Sequence, residues 1–247
     1  MIALITGASS GFGAEMARKF ARHGYQVIAC ARRTDRLAAL ATEVGDALHP
    51  VEMDVTDKTS IATALESLPA ELRDIDVLIN NAGLALGIQP AQKASLAEWE
   101  TMIDTNCKGL VTVTHMMLPG MVARGSGTII NIGSNAGSYA YPGANVYGAS
   151  KAFVEQFTLN LRADLVGTGV RASNISPGLA GGTEFSNVRL QDDVAAAKVY
   201  QGTQPLSPAD IAETAYWIAS LPSHVSVNRI EIMPTCQGFG PLMIKRD

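Results

Sequence analysis

Cysteine is scarce: the chain holds Cys30, Cys107 and Cys236, widely spaced and without a CxxC pair. Such a set excludes a disulfide framework and a thiolate metal cage, and it suits free thiols in a reducing compartment, packed as small apolar side chains. The four histidines, His23, His49, His115 and His224, show no ligand spacing, so no metal is assigned. A basic excess is also missing. The formal net charge of -4 offers no surface for phosphate backbones, which excludes nucleic acid as the main partner. Although 47% of the residues are hydrophobic, no run approaches the roughly 20 apolar residues of a membrane span. The opening MIALITGASSGFG carries neither a basic region nor a small-residue cleavage site, so a cytoplasmic protein is expected. Repeats, low-complexity tracts and interdomain linkers are absent too. One domain over 1–247 is therefore expected, with a cofactor half over about 1–135 and a catalytic and substrate part over about 134–247.

What is present is alternation. Ile2 to Thr6, Tyr25 to Ala31, Val51 to Val55, Val77 to Asn80, Thr128 to Gly133, Val170 to Ser176 and Arg229 to Met233 read as strands. Apolar residues at three- and four-residue steps predict helices over Ala14 to His23, Arg33 to Val44, Ile61 to Leu68, Leu96 to Met121, Ala149 to Val166 and Pro208 to Leu221. Strand and helix in turn imply a seven-stranded parallel sheet flanked by helices, a single-domain, Rossmann-like, doubly wound α/β fold with its ligands at the carboxyl ends of the strands. The stretch from Gly178 to about Gln204 fits no element and is expected to be an irregular binding loop or lid.

Directly after the first strand stands Thr6-Gly7-Ala8-Ser9-Ser10-Gly11-Phe12-Gly13, with Gly7, Gly11 and Gly13 at the strand-to-helix turn. Glycine permits the tight turn and close backbone approach, and the amide end of the following helix attracts a pyrophosphate. At the end of the second strand an acid would hydrogen-bond a ribose 2′-hydroxyl and repel a 2′-phosphate. The chain has Arg32-Arg33 there. Guanidinium pairs phosphate through a planar, permanently charged fork, so NADP(H) is favoured over NAD(H), the alternative being a solvated helix start at Arg33.

Three further pieces stand in register: Asn80-Asn81-Ala82-Gly83 after the fourth strand, Ser134 after the fifth, and Tyr147-Gly148-Ala149-Ser150-Lys151 opening a helix. Of the six tyrosines only Tyr147 has a lysine four residues on. One helical turn places phenol and ammonium on the same face, and the charge is expected to draw the phenol from about 10 towards working pH. Together with the glycine loop, these pieces resemble the short-chain dehydrogenase/reductase family over essentially the whole chain. The resemblance implies a catalytic tetrad of Asn106, Ser134, Tyr147 and Lys151. Tyr147 would exchange the proton, Ser134 orient the substrate oxygen, Lys151 also hold the nicotinamide ribose, and Asn106 support a water. It further implies cofactor contacts from Ser9, Ser10 and Phe12 of the loop, from Asp54 and Val55 at the adenine, and from Asn80, Ala82 and Gly83 at the ribose. Pro177, Gly178 and Thr183 would lie at the nicotinamide, with Thr183 one residue farther on than the usual pattern.

Within the family, NNAGLALG (80–87), WETMIDTN (99–106), NVYGASKAF (145–153) and PGLAGGTEFSNVR (177–189) resemble NADP-dependent 3-hydroxy acid dehydrogenases that also oxidise serine and allo-threonine. That implies a small anionic alcohol, such as L-serine, L-allo-threonine or 3-hydroxypropionate, or the matching semialdehyde. An anion needs a cationic anchor, and Arg189 is the candidate. A surface arginine paired with Asp192 or Asp193 is the open alternative. Tyr139, Tyr141 and Pro142 either wall the substrate pocket or pack the loop. A sulfonate such as sulfoacetaldehyde satisfies the same arginine, a broad carbonyl reductase accepts neutral ketones, and a non-enzymatic NADP sensor needs no tetrad. The apolar residues Met116, Met117, Phe153 and Phe157 either pack in the core or bury against another subunit, and the resemblance implies a homotetramer to which the tail Pro234 to Ile244 contributes and in which it closes a neighbouring pocket.

Overall fold

The computed structural model describes residues 1–239. Seven strands, β1 (Ile2–Thr6), β2 (Gln26–Ala31), β3 (Leu48–Glu52), β4 (Val77–Asn80), β5 (Gly127–Ile132), β6 (Val170–Pro177) and β7 (Arg229–Ile232), form one sheet in the order β3-β2-β1-β4-β5-β6-β7. Every pairing is parallel. Parallel neighbours require crossovers, and the crossovers are helices that bury both faces. Met16 and Phe20 of α1 (Gly11–Arg22), Leu37 and Leu40 of α2 (Thr34–Val44) and Ile218 of α9 (Pro208–Ser220) cover one face. Ile61 of α3 (Lys58–Glu66), Val113 and Met121 of α5 (Leu110–Arg124) and Leu161 of α6 (Asn145–Asp164) cover the other. Strand order reverses between β1 and β4, and a crevice opens at that switch point.

Three expectations change. The third strand begins at Leu48 rather than Val51 and takes in Pro50, which pairs with Ala29. An edge strand tolerates a residue without an N–H, as β3 does. The predicted helix Leu96 to Met121 is α4 (Leu96–Ile103), a wider π-type turn over Asp104–Gly109, and α5. Gly109 permits the close approach: a Cβ there would lie 2.8 Å from the Val55 carbonyl oxygen. The segment expected to be irregular holds α7 (Phe185–Leu190) and α8 (Asp193–Tyr200). Gln191 at φ 51° separates them, and the Asp192 carboxylate caps α8 by accepting from the Val194 and Ala195 amides. The tail expectation lies partly outside the described residues.

Candidate active site

A cavity of about 710 Å³ opens at the carboxyl ends of β1 and β4, between the glycine turn and the α7 segment. The Thr6 hydroxyl accepts from the Asn81 and Ala82 amides at 3.0 Å each. The Asn81 side-chain amide donates back to the Thr6 and Gly7 carbonyls at 2.9 and 3.2 Å. This stitch holds the two strand ends at a fixed spacing. Gly7 has φ +67° and Gly11 φ +53°, conformations that favour glycine. Gly13 does not line the cavity but allows packing, since a Cβ there would meet the Gly7 carbonyl oxygen at 2.3 Å. The first-turn amides of α1 have no intrahelical partner, as at any helix start, and so can face an anion.

At one end of the cavity lie Arg32, Arg33, Ser9, Ser10, Asp54 and Val55. Arg33 is not merely a solvated helix start. Its guanidinium donates to the Ser10 hydroxyl at 2.8 Å, to the Ser9 hydroxyl at 3.1 Å and to the Glu184 carboxylate at 2.9 Å. Arg32 faces Asp54, whose carboxyl is raised by burial but held low on balance by the Thr56 amide and hydroxyl and by Arg32. A glycine turn, a helix start and two arginines suit a dinucleotide with an extra phosphate on its adenosine half.

At the other end Ser134, Tyr147 and Lys151 come together. Ser134 follows β5 in extended backbone, and its hydroxyl accepts from the Ala136 amide at 3.1 Å. Tyr147 and Lys151 lie one turn apart on α6, both buried. The Lys151 ammonium donates to the Ile132 carbonyl at 2.8 Å, and among the described residues its other protons have no hydrogen-bond partner. Burial draws this amine down to about 8, against the nearby Cys107. The Tyr147 phenol is pushed up to about 12 by burial, which outweighs the Ser134 hydroxyl and the Arg189 guanidinium. The expected lowering by Lys151 is therefore corrected: its Nζ stands 6.0 Å from the ring centroid, and desolvation wins. The phenol keeps its proton at neutral pH and holds it more tightly than an exposed tyrosine does.

Asn106 lies in the π-type turn. Its side chain donates to the Leu84 carbonyl at 2.8 Å and accepts from the Leu84 amide at 2.9 Å. Its nitrogen also reaches the Ser150 hydroxyl at 3.0 Å, and that hydroxyl donates to the Tyr147 carbonyl at 2.7 Å. Asn106 thus ties the cavity wall to the helix carrying Tyr147. A Cβ on Gly83 would meet the Asn106 oxygen at 3.2 Å and the Lys151 ammonium at 3.4 Å.

Other expected residues are placed differently. Asn80 does not line the cavity: its buried amide donates to Thr114 at 2.9 Å and to Asn131 at 2.8 Å, cross-linking β4, β5 and α5. The next residues, Asn81, Ala82 and Gly83, face the cavity instead, because side chains alternate along a strand and the chain turns after it. Tyr139 also points elsewhere, donating to Glu231 at 2.9 Å, while Tyr141 lines the cavity. Phe12, Pro177 and Gly178 line it as well. Thr183 stands over the glycine turn, its Cγ2 3.1 Å from where a Gly11 Cβ would be. Gln237, which sequence reading missed, lines the cavity and accepts from the Leu179 amide at 2.6 Å. Its signal is spatial, since it lies far along the chain from β6.

Arg189 pairs with neither nearby aspartate: Asp192 caps α8, and Asp193 accepts from Asn187 at 2.6 Å. Its guanidinium donates to the Tyr141 hydroxyl at 2.8 Å and to the Gly87 and Gly143 carbonyls at 3.2 Å each. It stands 5.5 Å from the centroid of the Tyr147 ring.

The family model described as short chain dehydrogenase matches residues 1–193. An NADP-dependent 3-hydroxy acid dehydrogenase of Salmonella typhi is 56% identical over 247 residues, covering 100% of both chains. Sulfoacetaldehyde reductase 2 of Chromohalobacter salexigens is 50% identical, covering 100% of this chain and 99% of the relative. The closed form of serine dehydrogenase complexed with NADP+ superimposes with a TM-score of 0.96 at 55% identity, covering 100% of each chain. A glycine turn at the switch point, a tyrosine and lysine one turn apart beside a serine, and likeness along the whole length agree: this chain belongs to the short-chain dehydrogenase family.

Proposed function

We propose that the protein is an NADP(H)-dependent oxidoreductase that interconverts a small 3-hydroxy acid and its semialdehyde. The arginines beside the glycine turn support NADP(H), as do the names of the relatives. NADP(H), when bound, supplies or accepts the hydride. Tyr147 donates the proton to the carbonyl oxygen in reduction, and its place in the cavity wall beside Ser134 and Lys151 supports this role. Ser134 orients the same oxygen by hydrogen bonding. Lys151 offers its remaining protons to the ribose hydroxyls, and Asn106 holds the wall and α6 together around them. Gly7, Ser9, Ser10, Gly11 and Phe12 take the pyrophosphate end, Asp54 and Val55 the adenine, and Pro177, Gly178 and Thr183 the part nearer the substrate.

The observation that carries the substrate class is the Arg189 guanidinium beside Tyr147. An anionic group two or three bonds from the reacting carbon reaches that fork while its oxygen reaches the phenol. A carboxylate is the first assignment; the 50% identity to a sulfoacetaldehyde reductase supports a sulfonate as the second reading. Purified protein with NADPH and malonic semialdehyde is expected to oxidise NADPH, and Tyr147→Phe to slow it by about 10²–10⁴-fold. Undiminished turnover in that variant overturns the assignment of the acid.

The cytoplasm and a homotetramer complete the proposal, with 1–135 as the cofactor half of one domain. Phe153, stacked on Phe157 at 6.0 Å, remains 43% exposed on α6 and supports burial against another copy.

A further inference from the structure

Glu184 immediately precedes α7 on the substrate side of the cavity, yet its carboxylate reaches the adenosine side. One oxygen accepts from Arg33 at 2.9 Å and the other from Arg36, on α2, at 2.5 Å. Those two guanidinium groups, Arg36 first, hold the carboxyl below its ordinary range, so it is charged at neutral pH. Its neighbour Thr183 rests against Gly11 of the glycine turn, and the cavity runs beneath both. At the other end of the same short helix the Arg189 carbonyl accepts from the Gly87 amide at 3.0 Å. The helix is therefore fastened at two points, one on each wall.

We infer that Glu184 is a positioning residue that latches α7 across bound NADP(H), clasping Arg33 and Arg36 so that the cofactor is held under the segment that carries Arg189. The inference rests on the cofactor reading above and is independent of the substrate assignment. Three arginines, Arg32, Arg33 and Arg36, face two carboxylates, Glu184 and Asp54. Before the phosphate arrives the cationic groups outnumber the anionic ones by one, which favours a 2′-phosphate beside Arg32 and Arg33 while Arg36 keeps hold of Glu184. The competing arrangement has phosphate and carboxylate contend for the fork of Arg33. The two differ in sign: a latch slows cofactor release, whereas a competitor weakens cofactor binding.

Stopped-flow fluorescence of NADPH gives association and release rates for the wild type, Glu184→Gln, Arg36→Gln and the double variant. The latch predicts release about five-fold faster in Glu184→Gln, with association unchanged or faster. It also predicts a similar change in Arg36→Gln, no further change in the double variant, and an unchanged thermal midpoint for all. Raised salt, which weakens the phosphate contacts in every form, should speed wild-type release more than that of the variants and so narrow the difference between them. Unchanged release in Glu184→Gln, or tighter NADPH binding, overturns the latch. Failure of the wild type to bind NADPH overturns the cofactor reading and the latch with it.

Discussion

The side-chain amide of Asn106 donates to the hydroxyl of Ser150 at 3.0 Å, across the gap between the π-type turn and the helix that bears Tyr147. The same amide also holds the Leu84 backbone. Replacing Asn106 by Ala leaves two part-buried Leu84 backbone groups and the buried Ser150 hydroxyl without that partner. The expected loss is about 2–3 kcal/mol of stability in urea unfolding, because an unsatisfied buried group costs more than its hydrogen bond contributes. A change below about 0.5 kcal/mol contradicts the clamp.

Gly13→Ala tests the packing of the glycine turn. The new methyl group would lie 2.3 Å from the Gly7 carbonyl oxygen and 2.6 Å from the Asn81 amide nitrogen, so β1 or α1 must shift. A loss of about 1–3 kcal/mol is expected, together with weaker NADPH binding, in equilibrium unfolding and fluorescence titration. Wild-type values in both would show that the turn has room the structure does not give it.

Arg33→Ala separates the two nicotinamide cofactors. A charged hydrogen bond contributes about 1.5–3 kcal/mol, so the dissociation constant for NADPH is expected to rise about 10- to 100-fold, while that for NADH rises only by the few-fold that loss of the Glu184 contact causes. Equal weakening of both would place Arg33 at a part of the cofactor they share.

The two buried titrating groups set the pH dependence of reduction. Lys151, lowered from 10.5 to about 8, is cationic below that pH and neutral above it, whereas Tyr147, at about 12, keeps its proton throughout. The turnover number for carbonyl reduction is therefore expected to stay flat below pH 8 and to fall as pH rises through about 8, when the charge beside the phenol is lost. Lys151→Met should be slow and lack the fall. A decline near the ordinary lysine value of 10.5 would mean that burial does not depress Lys151.

The parallel seven-stranded sheet and the cavity position follow from what the chain displays locally: apolar runs of strand length, helical periodicity between them, and glycines after β1. What was not legible has identifiable causes. Asn80 and Asn81 are neighbours of the same type, and only the path of the chain past β4 decides which faces the cavity and which cross-links the core. The lowering expected for Tyr147 rested on charge alone, and the burial that reverses it is a property of the assembled fold. Short α7 lies below the length at which periodicity is readable. Glu184 and Arg36 are 148 residues apart, a pairing no spacing rule reveals.

Arg189 carries the substrate assignment, and its most direct test is the ratio of kcat/KM for malonic semialdehyde to that for a neutral ketone of similar size. A ratio cancels any general loosening of α7 that the substitution causes. Arg189→Ala should lower the ratio about 10- to 100-fold, through loss of a charged hydrogen bond to the anion, with turnover of the ketone retained. A ratio that is the same in wild type and variant would contradict the anchor and leave a carbonyl reductase indifferent to charge.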